Sequence, residues 1–168
     1  MLRKIFTGMT LAIFLFSGLA YAQENKVGFV DLSKAFDEYQ KTKDFDRELE
    51  KKGDAKQGQR ENLVKDIRKM REEIELMNEK TREKKEQDIE AKIKALQEFD
   101  QDAKAILTKE RDDMVRDILK EMNYVIQEYG EKNGFSIILN DRVLLYGNSA
   151  LDLTDEIIKI LNNRYAKK

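Results

Sequence analysis

The groups in this 168-residue chain that could do chemistry are carboxylates, because it carries 33 Asp and Glu but no Cys and no His. Two carboxylates held together can serve as general acid and general base. No spacing singles out such a pair. The acids are spread among 32 Lys and Arg, which is how a solvated helix face reads. Without Cys or His there are no disulfides, no thiolate or Ser-His catalysis, and no zinc site built on those ligands. No phosphate loop of the GxxxxGK[ST] type occurs, so no nucleotide cycle is visible. The sequence points to no enzyme, metal or cofactor.

The elements that carry these charges are long. Charged residues make up 39% of the chain and Pro is absent, against about 25% charged in an ordinary soluble protein. A charge-rich chain without Pro reads as extended, exposed helices, since nothing forces them to stop.

Residues 1–22 are set apart. Arg3 and Lys4 precede an uncharged run from Ile5 to Leu19, followed by Ala20-Tyr21-Ala22. This is the three-part pattern of an export signal, read by the peptidase at Ala20 and Ala22 and cut before Gln23. The run is short of the roughly 20 apolar residues that span a membrane. Without Arg3 and Lys4 the mature part carries 30 basic against 33 acidic side chains. That balance gives no nucleic-acid footprint.

From Gln23 onward, Lys26–Val30 reads as a strand through Val27, Phe29 and Val30. Asp31 or Ser33 caps the helix that follows. Leu32, Ala35, Phe36 and Tyr39 make its apolar stripe. The stripe thins over 41–59, where Gly53 and Gly58 lie; a continuous helix with a soft segment, and a possible hinge at the two glycines, is expected. Leu63, Ile67, Met70, Ile74 and Met77 then recur every three or four residues, as along a coiled-coil seam. Residues 78–88 hold no apolar side chain. The seam resumes at Ile89, Ile93 and Leu96, and from Met114 to Tyr129 it widens as it does on a helix buried in a larger core.

The apolar-free run divides the helical region into near-equal arms, 33–77 and 89–132, which predicts an antiparallel hairpin with its tip at 78–88. Unfolded into one rod, the helices would hold the end strands about 150 Å apart. Gly134 ends the second arm. Phe135, Ile137 and Leu139 mark a second strand, and Val143 and Leu145 a third, joined to it as a β-hairpin. Asp152 or Thr154 caps a last helix, whose buried face is Ile157, Ile158, Ile160 and Leu161. The fold class expected is mostly α with a small β platform. Its body is 26–32 and about 115–168, and its arm about 40–114. Three short strands stabilise one another poorly in a single chain, so a homo-oligomer is expected.

Lys-Val-Gly-Phe-Val-Asp at 26–31, Lys-Asn-Gly-Phe-Ser-Ile-Ile-Leu at 132–139, Val-Leu-Leu-Tyr at 143–146 and Asp-Leu-Thr at 152–154, around a charged helical hairpin, resemble the Skp (OmpH) family of periplasmic chaperones. The resemblance covers the whole mature chain. It implies a homotrimer with a β-barrel body made of strands from three chains, from which helical tentacles hang. It implies a periplasmic, ATP-independent holdase that keeps unfolded outer-membrane β-barrel proteins from aggregating in the cavity between the tentacles. The best-known members are strongly basic. The mature chain here is slightly acidic and its tip neutral, so lipopolysaccharide binding is not carried over. Met70, Met77 and Met114 either fill the seam or offer adaptable contacts to clients. A coiled-coil spacer or adaptor of the cell envelope is the other reading of the same helices.

Overall fold

A computed structural model describes residues 25–167 of the chain. The expected signal, with Ala20, Ala22 and Gln23, lies outside the described residues. Strand β1 (Lys26–Val30) leads into helix α1 (Leu32–Glu38), then α2 (Gln40–Ile74), α3 (Glu79–Asn133), strand β2 (Phe135–Asn140) and α4 (Thr154–Tyr165). Single 3-10 turns occupy Asp141–Val143 and Ser149–Leu151. The described residues are mostly helical, with one two-stranded sheet among them.

The end strands meet because the helices fold back. β1 and β2 pair in parallel, with Val27 opposite Ile137 and Val30 opposite Asn140. Parallel strands need a long crossover, and here the whole α1–α3 excursion supplies it. On the other edge of β1, Phe29 bridges to Asp152, and the Leu153 amide donates to the Phe29 carbonyl at 2.9 Å.

Three expectations are corrected. The reversal is at Glu75–Asn78 and meets the expected 78–88 only at Asn78, the edge of the polar run. Residues 79–88 are the first turns of α3, where Arg82 pairs with Glu86 four residues on; Lys, Arg and Glu are good helix formers, so lack of apolar residues marked exposure rather than a loop. Asn78 caps α3 by accepting from the Thr81 amide at 3.2 Å. Secondly, 143–146 is not a strand paired with β2. The Asn140 side chain accepts from the Arg142 amide at 3.2 Å, the Leu144 amide donates to the Asp141 carbonyl at 2.9 Å, and this tight turn takes the chain away from β2. Thirdly, although the helix runs unbroken through 41–59 as expected, the arm 33–77 is not one helix from its start: it breaks at Tyr39, whose φ of −68° and ψ of 124° are extended.

The caps follow local chemistry. Asp31 accepts from the Lys34 amide at 2.9 Å and so caps α1. Gly134, at φ 71°, closes α3 in the left-handed conformation that favours glycine. Asp152 accepts from the Thr154 amide at 2.9 Å. The Thr154 hydroxyl in turn donates to Asp152 and accepts from the Asp31 amide at 2.9 Å. Asp-Leu-Thr thus ties the start of α4 to the turn that follows β1, and Thr154 is buried in doing so.

The main core lies in the body. Val30, Ala35 and Tyr39 meet Ile118, Met122 and Val125 of α3, and Ile157, Ile158 and Leu161 of α4. Met114, where the apolar stripe widens, packs at its edge. Gly28 is closely packed: a β-carbon there would lie 2.5 Å from Leu153 Cδ1, so that side chain would have to shift.

Candidate functional site

In the outer arm, α2 and α3 share a small core of Ile67, Ile74 and Ile89, with Met70, Ile93 and Leu96 against it. These are six of the eight seam residues expected. Leu63 is half-buried, and Met77 is exposed at the turn beside Leu76, which is 91% exposed. Ion pairs join the two helices along the arm, three of them on the body side of this core and one beside the turn. Lys41 meets Glu121 at 2.7 Å, Lys52 meets Glu110 at 2.9 Å, Arg60 meets Asp100 at 3.0 Å and Lys85 meets Glu73 at 2.9 Å. As the partner on α2 moves outward from 41 to 73, its mate on α3 moves back from 121 to 85. One antiparallel register therefore serves the whole arm. Glu110 first and Glu48 second raise the Lys52 ammonium above its ordinary range.

Gly53 and Gly58 lie inside unbroken α2, and a β-carbon at either would meet nothing within 4 Å. Alanine at each is expected to stabilise α2 by about 1 kcal/mol, read as a higher urea midpoint. Arm spread in solution scattering that stays unchanged in the double alanine variant would remove the hinge role from these two residues.

An ion pair also joins α3 to α4. Glu128 accepts from Arg164 at 2.6 Å and from Lys132. The hydrogen bonds from Lys132 and then Arg164 hold its carboxyl below the usual range. A carboxyl depressed on folding stabilises the fold above its unfolded value, and that contribution is lost as pH falls through the folded value. Wild type is thus expected to exceed Glu128→Gln in urea midpoint at pH 7, and the gap to close below about pH 4.

The body presents a second kind of surface. Val27, Ile137 and Leu139 of the sheet are exposed although apolar. Beyond the turn, Val143 is 69% and Tyr146 85% exposed, and Leu145 is fully so. By contrast Val30 is buried, and Phe29 and Phe135 are partly buried within the body. The expected strand residues therefore divide into an inner set and an outward apolar set with no partner among the described residues. Soluble monomers rarely leave so many large apolar side chains together in water. Nearby, Leu32, Phe36, Val115 and Leu119 border an open groove beside Arg142.

A hollow at Lys41, Glu121, Tyr124 and Arg164 is open and lined mainly by charge. Among the described residues no group of three or more acids is placed to hold a metal ion. No described helix is long and apolar enough to cross a membrane.

An arm of two helices rooted in a body with an open parallel sheet has a counterpart among protein families. The family described as outer membrane protein (OmpH-like) matches residues 26–161. The chain belongs to the OmpH-like family. Among solved structures, this OmpH-like chain is similar to a candidate outer membrane chaperone (OmpH-like) from Caulobacter crescentus CB15. The TM-score is 0.78 over 83% of this chain and 85% of that one, at 17% identity. At that identity the likeness concerns the fold. No curated protein sequence matches the chain. The match begins at Lys26 and so includes β1, whose partner β2 is more than 100 residues away.

Proposed function

We propose that this OmpH-like chain is an exported, periplasmic holdase that assembles as a homotrimer and holds unfolded outer-membrane β-barrel proteins between its arms without ATP. The observation that carries this reading is the division of exposed surface. The body bears a concentrated apolar patch at Val27, Ile137, Leu139 and Val143–Tyr146, suited to permanent contact with further copies. The arm bears charges with isolated apolar side chains such as Val64 and Ile106, suited to many weak contacts. Weak, dispersed contacts retain a client without fixing its structure, and long Lys and Arg stems add apolar area to a charged face. The trimer, its shared barrel and the cavity between arms are part of this proposal, taken from what the resemblance to the family implies.

The test is to dilute an unfolded outer-membrane barrel from urea with and without the mature protein, and to weigh any soluble complex. Suppressed light scattering and a complex of one client with three copies are expected. Aggregation unchanged at a stoichiometric amount of trimer would sink the holdase and favour a coiled-coil spacer or adaptor of the envelope. The ion-paired middle of the arm suits such a spacer equally well.

A further inference from the structure

The break at Tyr39 has no local cause. No Gly or Pro lies between Leu32 and Lys52, so nothing in the backbone bars one helix running through. What holds the break open comes from α4. The Asn162 carboxamide occupies it, accepting from the Gln40 amide at 2.7 Å and donating to the Glu38 carbonyl at 3.5 Å. The Tyr39 ring is fully buried and stands edge-on to Tyr165 of α4, with centroids 5.9 Å apart.

The broken form also carries a penalty. The Thr42 hydroxyl, 4% exposed, has no hydrogen-bond partner, and a buried orphan of this kind is destabilising. In an unbroken helix that hydroxyl can reach the carbonyl of residue 38, four positions back. The same carbonyl is the one that Asn162 now occupies. Local preference and tertiary contact therefore pull in opposite directions at one residue, which is how a two-state element is built.

We propose that Tyr39 is a latched joint. Asn162 holds α1 and α2 apart as separate helices. Releasing its carboxamide lets them fuse into one helix, which redirects α2 and swings it away from α3. Outside the latch, Lys41–Glu121 and Lys52–Glu110 tie the root of α2 to α3. Lys52–Glu110 is largely exposed and holds weakly. The arm would then open at its root, in the body, rather than at Gly53 and Gly58.

Because the chain has no Cys, a nitroxide pair at Glu50→Cys on α2 and Asp112→Cys on α3 reads this directly. Labelled mature protein is diluted into unlabelled so that each oligomer carries one pair. A single short distance is expected in the parent, and Asn162→Ala should raise a longer second distance about tenfold in population, as the loss of two hydrogen bonds implies. Gln40→Pro supplies the decisive control. Proline suits the first position of α2 but cannot sit inside a fused helix. Adding it to Asn162→Ala should restore the single short distance. The proposal is overturned if Asn162→Ala shows only the parent distance, or if the longer distance survives Gln40→Pro. Asn162→Ser gives the same reading where the alanine variant does not fold. No client is present, so the result stands apart from the holdase assay.

Discussion

Ile157→Ala should unfold the body at a markedly lower temperature than the parent. Ile157 is fully buried where α4 meets the rest of the core. Truncating a buried Ile to Ala removes its transfer energy and leaves a cavity, together about 2–5 kcal/mol. For a body of this size that corresponds to a fall in melting temperature of at least about 8 °C. The contrast is Leu76→Ala at the turn, whose side chain is 91% exposed and whose loss should change stability by no more than about 0.5 kcal/mol. Calorimetry of both variants checks the pair. Equal effects would mean that the arm and not the body limits stability.

The second large effect is on assembly. Val143→Asp combined with Leu145→Asp should split the proposed trimer, read as a fall in mass to that of one chain by light scattering. Neither side chain is packed within its own chain, since Val143 is 69% exposed and Leu145 fully so. Their apolar area is therefore available for burial between copies, where each would be worth about 1.5–3 kcal/mol. A carboxylate left there unpaired would cost far more than the area it replaces. Because the two positions make so little of the single-chain fold, far-UV circular dichroism should show the helices retained. That separates lost assembly from lost folding. An unchanged mass in the double variant would place the contact between copies elsewhere.

Much of this architecture could be read in the sequence because it depends on periodicity. The fold-back, the arm core of Ile67, Ile74 and Ile89, and the packing of Met114 at the edge of the main core all follow from where apolar residues recur. The tip was displaced because polarity reports exposure and not helix breaking. The signal that locates it is Asn78, whose capping chemistry with Thr81 lay outside the apolar pattern. The third strand was expected from composition, but Val143–Tyr146 has strand chemistry without a strand partner among the described residues. The break at Tyr39 left no mark in its own segment, because the group that makes it, Asn162, is 123 positions further along. Asp-Leu-Thr was legible as the start of α4, although its N-cap is Leu153 and not Asp152 or Thr154, and the bond from the Asp31 amide to Thr154 was not legible.

The arm's single register of cross-helix ion pairs makes its length a separable variable. Each rung has its mate across the hairpin, and those beyond Lys41 and Glu121 lie outside the body core. Seven residues added to α2 and a matching seven to α3 would keep every rung aligned and extend the arm by about 10 Å. Seven added to one helix alone would set all the outer rungs out of step. A chain of this design can change its reach by paired insertions while its sheet and body remain untouched, much as a ladder gains height by whole rungs.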